Sequence, residues 1–243
     1  MGDEGKQAGC GGRRVAFFGG SFDPPHRGHL AVARAARMAL GLDTVLFAPV
    51  GAQPLKQAGA TASFEDRLAM TQLAIAGEPG MEISLADAPM TGGGPNYTLE
   101  TLERLRAELG PGCALFFLMG ADSFFGLRKW HRAAEIPFAA PLIVASRPGQ
   151  WLEGVKAALP QGLTLEECAD SQRAAQDAVE VREFLLRNPA GRSAKFYLLP
   201  GLDIRISASE IRERLHAAPD AAGMCAWLPD AVAGYVQAHG LYR

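Results

Sequence analysis

Cysteine is scarce in this chain. There are four in 243 residues, Cys10, Cys113, Cys168 and Cys225, with no C-x-x-C pair and no histidine at ligand spacing. That scatter argues against a zinc site, and a chain of this length needs no disulfide framework. Reduced thiols in a cytoplasmic protein are expected. Excess charge is also missing: 24 Lys and Arg stand against 26 Asp and Glu, a formal net charge of -2. A nucleic-acid binder usually shows a basic excess, so no nucleic-acid partner is expected, whereas a small charged substrate needs only a few local cations. Long apolar runs are absent too. None approaches the roughly 18 residues of a membrane-spanning helix, so no membrane partner is expected. The polar, glycine-rich opening "MGDEGKQAGCGG" lacks the apolar core of a signal peptide, and Lys6 stands where myristoylation needs Ser or Thr. Residues 1–12 are expected to form a flexible tail. Internal repeats and low-complexity linkers are lacking as well, so residues 13–243 are expected to form one domain.

What is present is alternation. The chain is 48% hydrophobic, enough for a large core. "RVAFFGG", "TVLFAPV", "MEISLAD", "CALFFLMG", "PLIVASRPG" and "AKFYLLP" read as strands. Helical patterns lie between them: "HLAVARAARMALG" closed by Gly41, "SFEDRLAMTQLAIAG" capped by Ser63, and "TLETLERLRAELG" with Thr98 as cap and Gly110 as stop. Apolar strands separated by helices predict an α/β fold, a doubly wound, Rossmann-like parallel sheet with helices on both faces. Three further helices are expected towards the end: Ser171 to Arg187, one opened by a capping box of Ser207 and Glu210, and one starting with Pro229 at its first position.

One stretch joins several unusual features. "GGSFDPPHRGHL", Gly19 to Leu30, follows the first strand and opens the first helix. Gly19 and Gly20 let backbone amides approach a ligand, and the paired prolines end the strand. His26 and His29, three residues apart, fall on one face of the helix start. A helix N-terminus concentrates unpaired amides and positive potential. Beyond the carboxyl end of a parallel strand it is a natural anion site. "ISASEIRER" repeats the logic with Ser207, Ser209 and Arg212, a helix start joined to a guanidinium fork. Lys56, in "QPLK", is a cation after a strand end. Asp122, in "GAD", sits just past another and suits either ribose hydroxyls or a helix cap.

"GGSFDPPHRGH" resembles the signature of the bacterial nicotinate-nucleotide adenylyltransferases, of the HxGH nucleotidyltransferase superfamily. The resemblance continues in order through "PVGAQPLK", "NYTLETL", "MGADSFFGLRKWHRAAEI", "ASRPG", "ISASEIRERL" and "VAGYVQAHGLY", about Val15 to Tyr242. It implies in-line attack of a mononucleotide phosphate on the α-phosphate of ATP, catalysed by positioning and charge stabilisation. His26, His29, Lys56 and Arg212 are then the catalytic set. Gly19, Gly20, Ser21, Phe22, Gly120, Asp122, Ser207 and Ser209 complete an ATP site. Tyr97, Thr98, Trp130 and His131 meet nicotinate mononucleotide. Mg²⁺ is carried largely by the ATP phosphates, with no protein-held metal, and a homo-oligomer is possible.

Three departures stand out. Ser21 replaces the usual threonine, Leu55 the usual histidine before the lysine, and Ser207-Ala208-Ser209 the usual Ser-Ser-Thr. Pro160 to Ala194 also looks longer than the family's connection, as an insertion would. Other acceptors, nicotinamide mononucleotide or phosphopantetheine, fit the same chemistry. A synthetase fragment fits poorly because the chain is short and no "KMSKS"-like segment is present. A non-catalytic nucleotide sensor would have less need of the intact histidines, Lys56 and Arg212.

Overall fold

The computed structural model describes residues 12–52, 59–146, 152–173, 180–202, 206–217, 224 and 226–243. The expected tail, apart from residue 12, and Lys56 and Leu55 lie outside the described residues. The chain runs β1 (Arg13–Gly20), α1 (Arg27–Leu40), β2 (Thr44–Pro49), α2 (Phe64–Ile75), β3 (Met81–Ile83), α3 (Thr98–Leu109), β4 (Cys113–Gly120) and α4 (Ala121–Phe125). A 3-10 turn (Leu127–Lys129) leads to α5 (Ile136–Ala139), β5 (Leu142–Ala145), α6 (Leu152–Ala158), β6 (Thr164–Arg173), β7 (Val181–Arg187), β8 (Ser193–Leu199), α7 (Ala208–Ala217) and α8 (Asp230–Ala238).

The strands form one sheet in the order β3-β2-β1-β4-β5-β8-β7-β6. The pairings from β3 across to β8 are parallel, and β7 runs antiparallel to both β8 and β6. The sequence order reverses between β1 and β4, which are paired at Phe17 and Phe117. At such a switch point an open α/β sheet binds ligands beyond its carboxyl ends.

Burial on both faces explains the unbroken apolar runs of the strands. Val15 and Phe17 of β1 join one core with Leu115, Phe117 and Met119 of β4, Val144 of β5 and Phe196 of β8. Ala16 and Phe18 join the other, with Phe116, Leu118, Ile143 and Tyr197. The period-two alternation therefore divides each strand between two cores. Leu99, Leu102 and Leu105 of α3 cover the first face. Leu30, Ala33 and Ala36 of α1 cover the second. A third core holds α2, α7 and α8 together through Met70, Ala74, Ile211, Leu215, Val232 and Val236.

Helix ends follow local chemistry. Gly41 closes α1 in the left-handed region at φ 56°. The Ser63 hydroxyl accepts from the Asp66 amide at 3.0 Å, as a cap should. At α3 the cap is Tyr97, and Thr98 is already the first helical residue. At α8 Pro229 is the cap rather than the first residue. Ser207 caps α7 by accepting from Glu210 N at 3.2 Å, but the Glu210 carboxylate accepts from Arg214 at 3.0 Å. That partner lies one turn on, on the helix surface. The third strand is shorter than "MEISLAD" suggested, since β3 ends at Ile83.

The helix expected from Ser171 to Arg187 is not formed. Its described ends belong to β6 and β7, a hairpin that widens the sheet. "VREFLLR" is too short for periodicity to separate helix from strand. Tertiary pairing decides: Phe184 opposes Phe196 and Leu186 opposes Ala194 across β7 and β8. Phe184 and Leu186 then enter the first core, fully buried. Phe184→Ala should lower the unfolding free energy by about 3–5 kcal/mol, the usual cost of truncating a buried phenylalanine. Urea denaturation measures it.

Candidate active site

Beyond the carboxyl ends of β1 and β4 lies a cleft of about 750 Å³, within the range of ordinary ligand sites. Every described residue singled out from the sequence lines it: Gly19, Gly20, Ser21, Phe22, His26, His29, Tyr97, Thr98, Gly120, Asp122, Trp130, His131, Ser207, Ser209 and Arg212. The cleft therefore gathers loops that lie far apart in sequence.

His26 is the cap residue of α1, and His29 lies in its first turn. Their rings stack, 3.7 Å between centroids and 25° apart. The His26 amide donates to Nδ1 of His29 at 3.1 Å. An accepting Nδ1 carries no proton, so the neutral ring bears its hydrogen on Nε2. Burial, and secondly the neighbouring His26, hold the His29 imidazole well below its ordinary pKa. At neutral pH His29 is thus an uncharged donor with a fixed tautomer.

Phe22 lines the cleft and also supports His29. Its ring is 2% exposed and packs edge-on beneath His29, 4.9 Å between centroids. It forms the floor that orients the imidazole. The amide of Arg27 at the helix start is also committed, donating to the Trp227 carbonyl at 2.8 Å. The anion-binding capacity of this helix start therefore rests more on the imidazoles than on that amide.

Across the cleft, Arg212 projects from the first turns of α7. Its Nη1 donates to the Asp23 carbonyl at 2.7 Å and its Nη2 to the Ser209 hydroxyl at 3.3 Å. The guanidinium is thereby tied to the loop that carries the histidines. Gly120, not Asp122, caps α4, leaving the exposed Asp122 carboxylate in the first turn beside the cleft. A Cβ on Gly120 would meet nothing within 4 Å. Glycine is therefore not required there by packing, and a side chain would enter ligand space. Gly19 differs: a Cβ there would lie 2.9 Å from the Phe17 ring.

At the other end, the Tyr97 and His131 rings lie 4.4 Å apart, and His131 Nε2 is 3.6 Å from a Glu100 carboxylate oxygen. Trp130 is half-buried, packing against the first core and lying 6.2 Å from the Phe117 ring. It is a core residue with one face towards the cleft.

Several cleft residues carry weak local signals. Asp87 and Asn96 are buried lining residues. The Thr101 hydroxyl donates to Asp87 at 2.6 Å, and burial outweighs that bond to push the carboxyl above its usual range. Asn96 accepts from the Ala52 amide at 3.1 Å and donates to the Ala88 carbonyl at 3.0 Å, clamping two loops. Lys129 lines the cleft beside Trp130. Asp23 lies inside the quoted signature, where a carboxylate within a proline-rich turn was the available clue. It is 4% exposed and accepts from Thr61 N at 2.6 Å, Ala62 N at 3.1 Å and the Tyr242 hydroxyl at 2.8 Å. Among the described residues no cluster of three His, Cys, Asp or Glu could hold a metal ion, and no helix is long and apolar enough to cross a membrane.

Residues 17–214 match the cytidylyltransferase-like family. Relatives carrying the name "Probable nicotinate-nucleotide adenylyltransferase" align along almost the whole chain. That of Gloeobacter violaceus is 39% identical over 95% of this chain and 97% of its own. That of Stenotrophomonas maltophilia is 40% identical over 93% and 96%. Nicotinic acid mononucleotide adenylyltransferase of Plasmodium falciparum, solved in complex with NaAD, shares the fold at a TM-score of 0.66 and 17% identity, over 95% of this chain and 97% of that one. The chain belongs to the cytidylyltransferase-like family, in its nicotinate-nucleotide adenylyltransferase branch.

The tautomer and the depressed pKa of His29 have a consequence for stability. With the folded pKa below the unfolded value of about 6.5, the unfolded chain binds more protons in between, so this contribution to stability falls as pH drops below about 6.5. His29→Gln should flatten the loss of stability between roughly pH 6.5 and 5, read from urea midpoints of variant and wild type. Nitrogen NMR of the wild type should show the hydrogen on Nε2 at neutral pH.

Proposed function

We propose that this protein transfers the adenylyl group of ATP to nicotinate mononucleotide, giving deamido-NAD and pyrophosphate in NAD biosynthesis. One observation carries the reading. A single cleft joins the two histidines at the start of α1 to Arg212 at the start of α7, in a chain whose relatives bear that name over nearly their full length.

In this reading a phosphate oxygen of the mononucleotide attacks the α-phosphorus of ATP. The bond to the oxygen bridging the α- and β-phosphates breaks, and pyrophosphate leaves with its electron pair. No covalent enzyme intermediate is needed, so positioning and charge stabilisation supply the catalysis. His29 donates from Nε2 to the oxygens that gain charge, and His26 binds beside it. A neutral donor suits this position because it stabilises charge without a proton transfer. Arg212, Ser207, Ser209 and the start of α7 grip the β- and γ-phosphates, and Lys56 adds a further cation. Mg²⁺ arrives on the ATP substrate. Gly19, Gly20 and Ser21 face the nucleotide as backbone, and Gly120 leaves room for adenosine while Asp122 meets its ribose. Trp130 stacks on the pyridine ring, with the backbone at Tyr97 and Thr98 and the His131 ring near its carboxylate. The thiol pattern supports a cytoplasmic setting.

Pyrophosphate release with ATP and each of nicotinate mononucleotide, nicotinamide mononucleotide and phosphopantetheine tests the acceptor. The highest kcat/KM is expected for the nicotinate compound, and a preference for either of the others overturns that assignment. Separately, His29→Ala should lower kcat by about 10²-fold or more, as loss of a preorganised donor does. Near-wild-type turnover would remove His29 from the mechanism.

A further inference from the structure

Tyr242 lies beyond α8, far from the reacting atoms in sequence, yet its hydroxyl reaches the middle of the signature loop. It donates to the Asp23 carboxylate at 2.8 Å, a contact between residues 219 apart. The backbone of Tyr242 is in the left-handed region at φ 64°, which side chains other than glycine rarely adopt. Its ring is 8% exposed, packed among Ala62, Met70, Ile211 and Val236. Packing alone could hold a phenylalanine there. The hydroxyl has a narrower task, because among the described residues it joins the amides of Thr61 and Ala62 as a hydrogen-bond donor to that carboxylate.

Asp23 is the point where the clamp is joined. Its carbonyl accepts from Arg212 at 2.7 Å, and its carboxylate lies 4.0 Å from the same guanidinium. Three residues on, His26 caps α1. The buried Arg67 supports the loop from behind, donating to the Ser21 carbonyl at 2.7 Å and the Ala62 carbonyl at 3.3 Å. A shift of the Asp23 carboxylate would therefore move both jaws of the clamp together. Among the described residues no hydrogen bond or ion pair ties Tyr97, Trp130 or His131 to Asp23; they belong to segments around α3 and α4.

We propose that Tyr242 is a positioning residue for ATP, setting the histidine loop and the Arg212 guanidinium through the Asp23 carboxylate. This rests on the reading that ATP occupies the cleft. In Tyr242→Phe, the Michaelis constant for ATP should rise about tenfold, the scale of one hydrogen bond to a charged group. The acceptor's constant should change less than twofold. In the background of Arg212→Lys the same change should cost much less, because both variants act on one contact network. A purely structural tyrosine predicts the reverse, with an unchanged ATP constant or additive losses, and either result overturns the proposal.

The unaltered protein gives a measurement that needs no variant to fold. Coupling is reciprocal, so a non-hydrolysable ATP analogue alone should slow amide hydrogen exchange in residues 236–243. Nicotinate mononucleotide alone should not. Unslowed exchange at a saturating analogue concentration overturns the proposal. Should the wild-type enzyme prefer another acceptor, the reading of the substrate fails while these ATP-side measurements still decide the role of Tyr242.

Discussion

A carboxylate removed from water is costly unless its lone pairs are filled, and the fold meets that demand at Asp23 from several distant segments. The amides of Thr61 and Ala62 approach from before α2, and the Tyr242 hydroxyl from beyond α8. Arg212 comes from α7 to the backbone of the same residue. Arg67, 2% exposed, is drawn into the same neighbourhood. Burial lowers its pKa, and the Asp23 charge is the first of the influences opposing that shift. The third core, made of α2, α7 and α8, is thus fixed to the sheet by charge and hydrogen bonding at one end of the cleft. The partners of this one carboxylate join the segments before α2 and beyond α8 to the loop that follows β1.

The sheet imposes the complementary constraint. Parallel strands buried on both faces must spend every side chain on packing, as β1 does with Val15, Ala16, Phe17 and Phe18. Polar chemistry can begin only where the strands end, and the switch between β1 and β4 opens room there. This explains why the chemical residues lie on loops and helix starts. It also explains why residues such as Trp130 and Phe22 serve two masters, one face packed and the other against the cleft. Phe22 illustrates the coupling: its ring belongs to the second core, yet it fixes the imidazole of His29.

Most of this arrangement was legible where local signals were strong. Apolar runs between helical patterns led to the doubly wound sheet, and a glycine-, proline- and histidine-rich strand–helix junction led to the cleft. The misreadings have one physical origin. "VREFLLR" has no decisive period of its own, and its state is set by pairing with β8 and by the space that Phe184 fills. Thr98 and Asp122 are both good capping types, yet Tyr97 and Gly120 take the caps, since cap choice depends on where the preceding loop delivers the chain. Asp23, Asp87 and Asn96 gain their roles from partners dozens of residues away. A linear motif can point to the loop that holds Asp23 but not to the tyrosine that completes its hydrogen bonds.

The same geography divides the electrostatics of the cleft. A triphosphate needs positive potential, and the simplest solution would be a protonated histidine pair. The structure does otherwise at His29: its Nδ1 is occupied by the His26 amide, and burial disfavours the cation. A guanidinium, that of Arg212, lines the same cleft. The His29 ring offers a donor on one side, and across the cleft Arg212 is held by the Asp23 carbonyl and the Ser209 hydroxyl. The division depends on the two jaws keeping a fixed separation. The buried Asp23 carboxylate is suited to that, because a shift of the loop between the two would leave Thr61, Ala62 or Tyr242 without its acceptor.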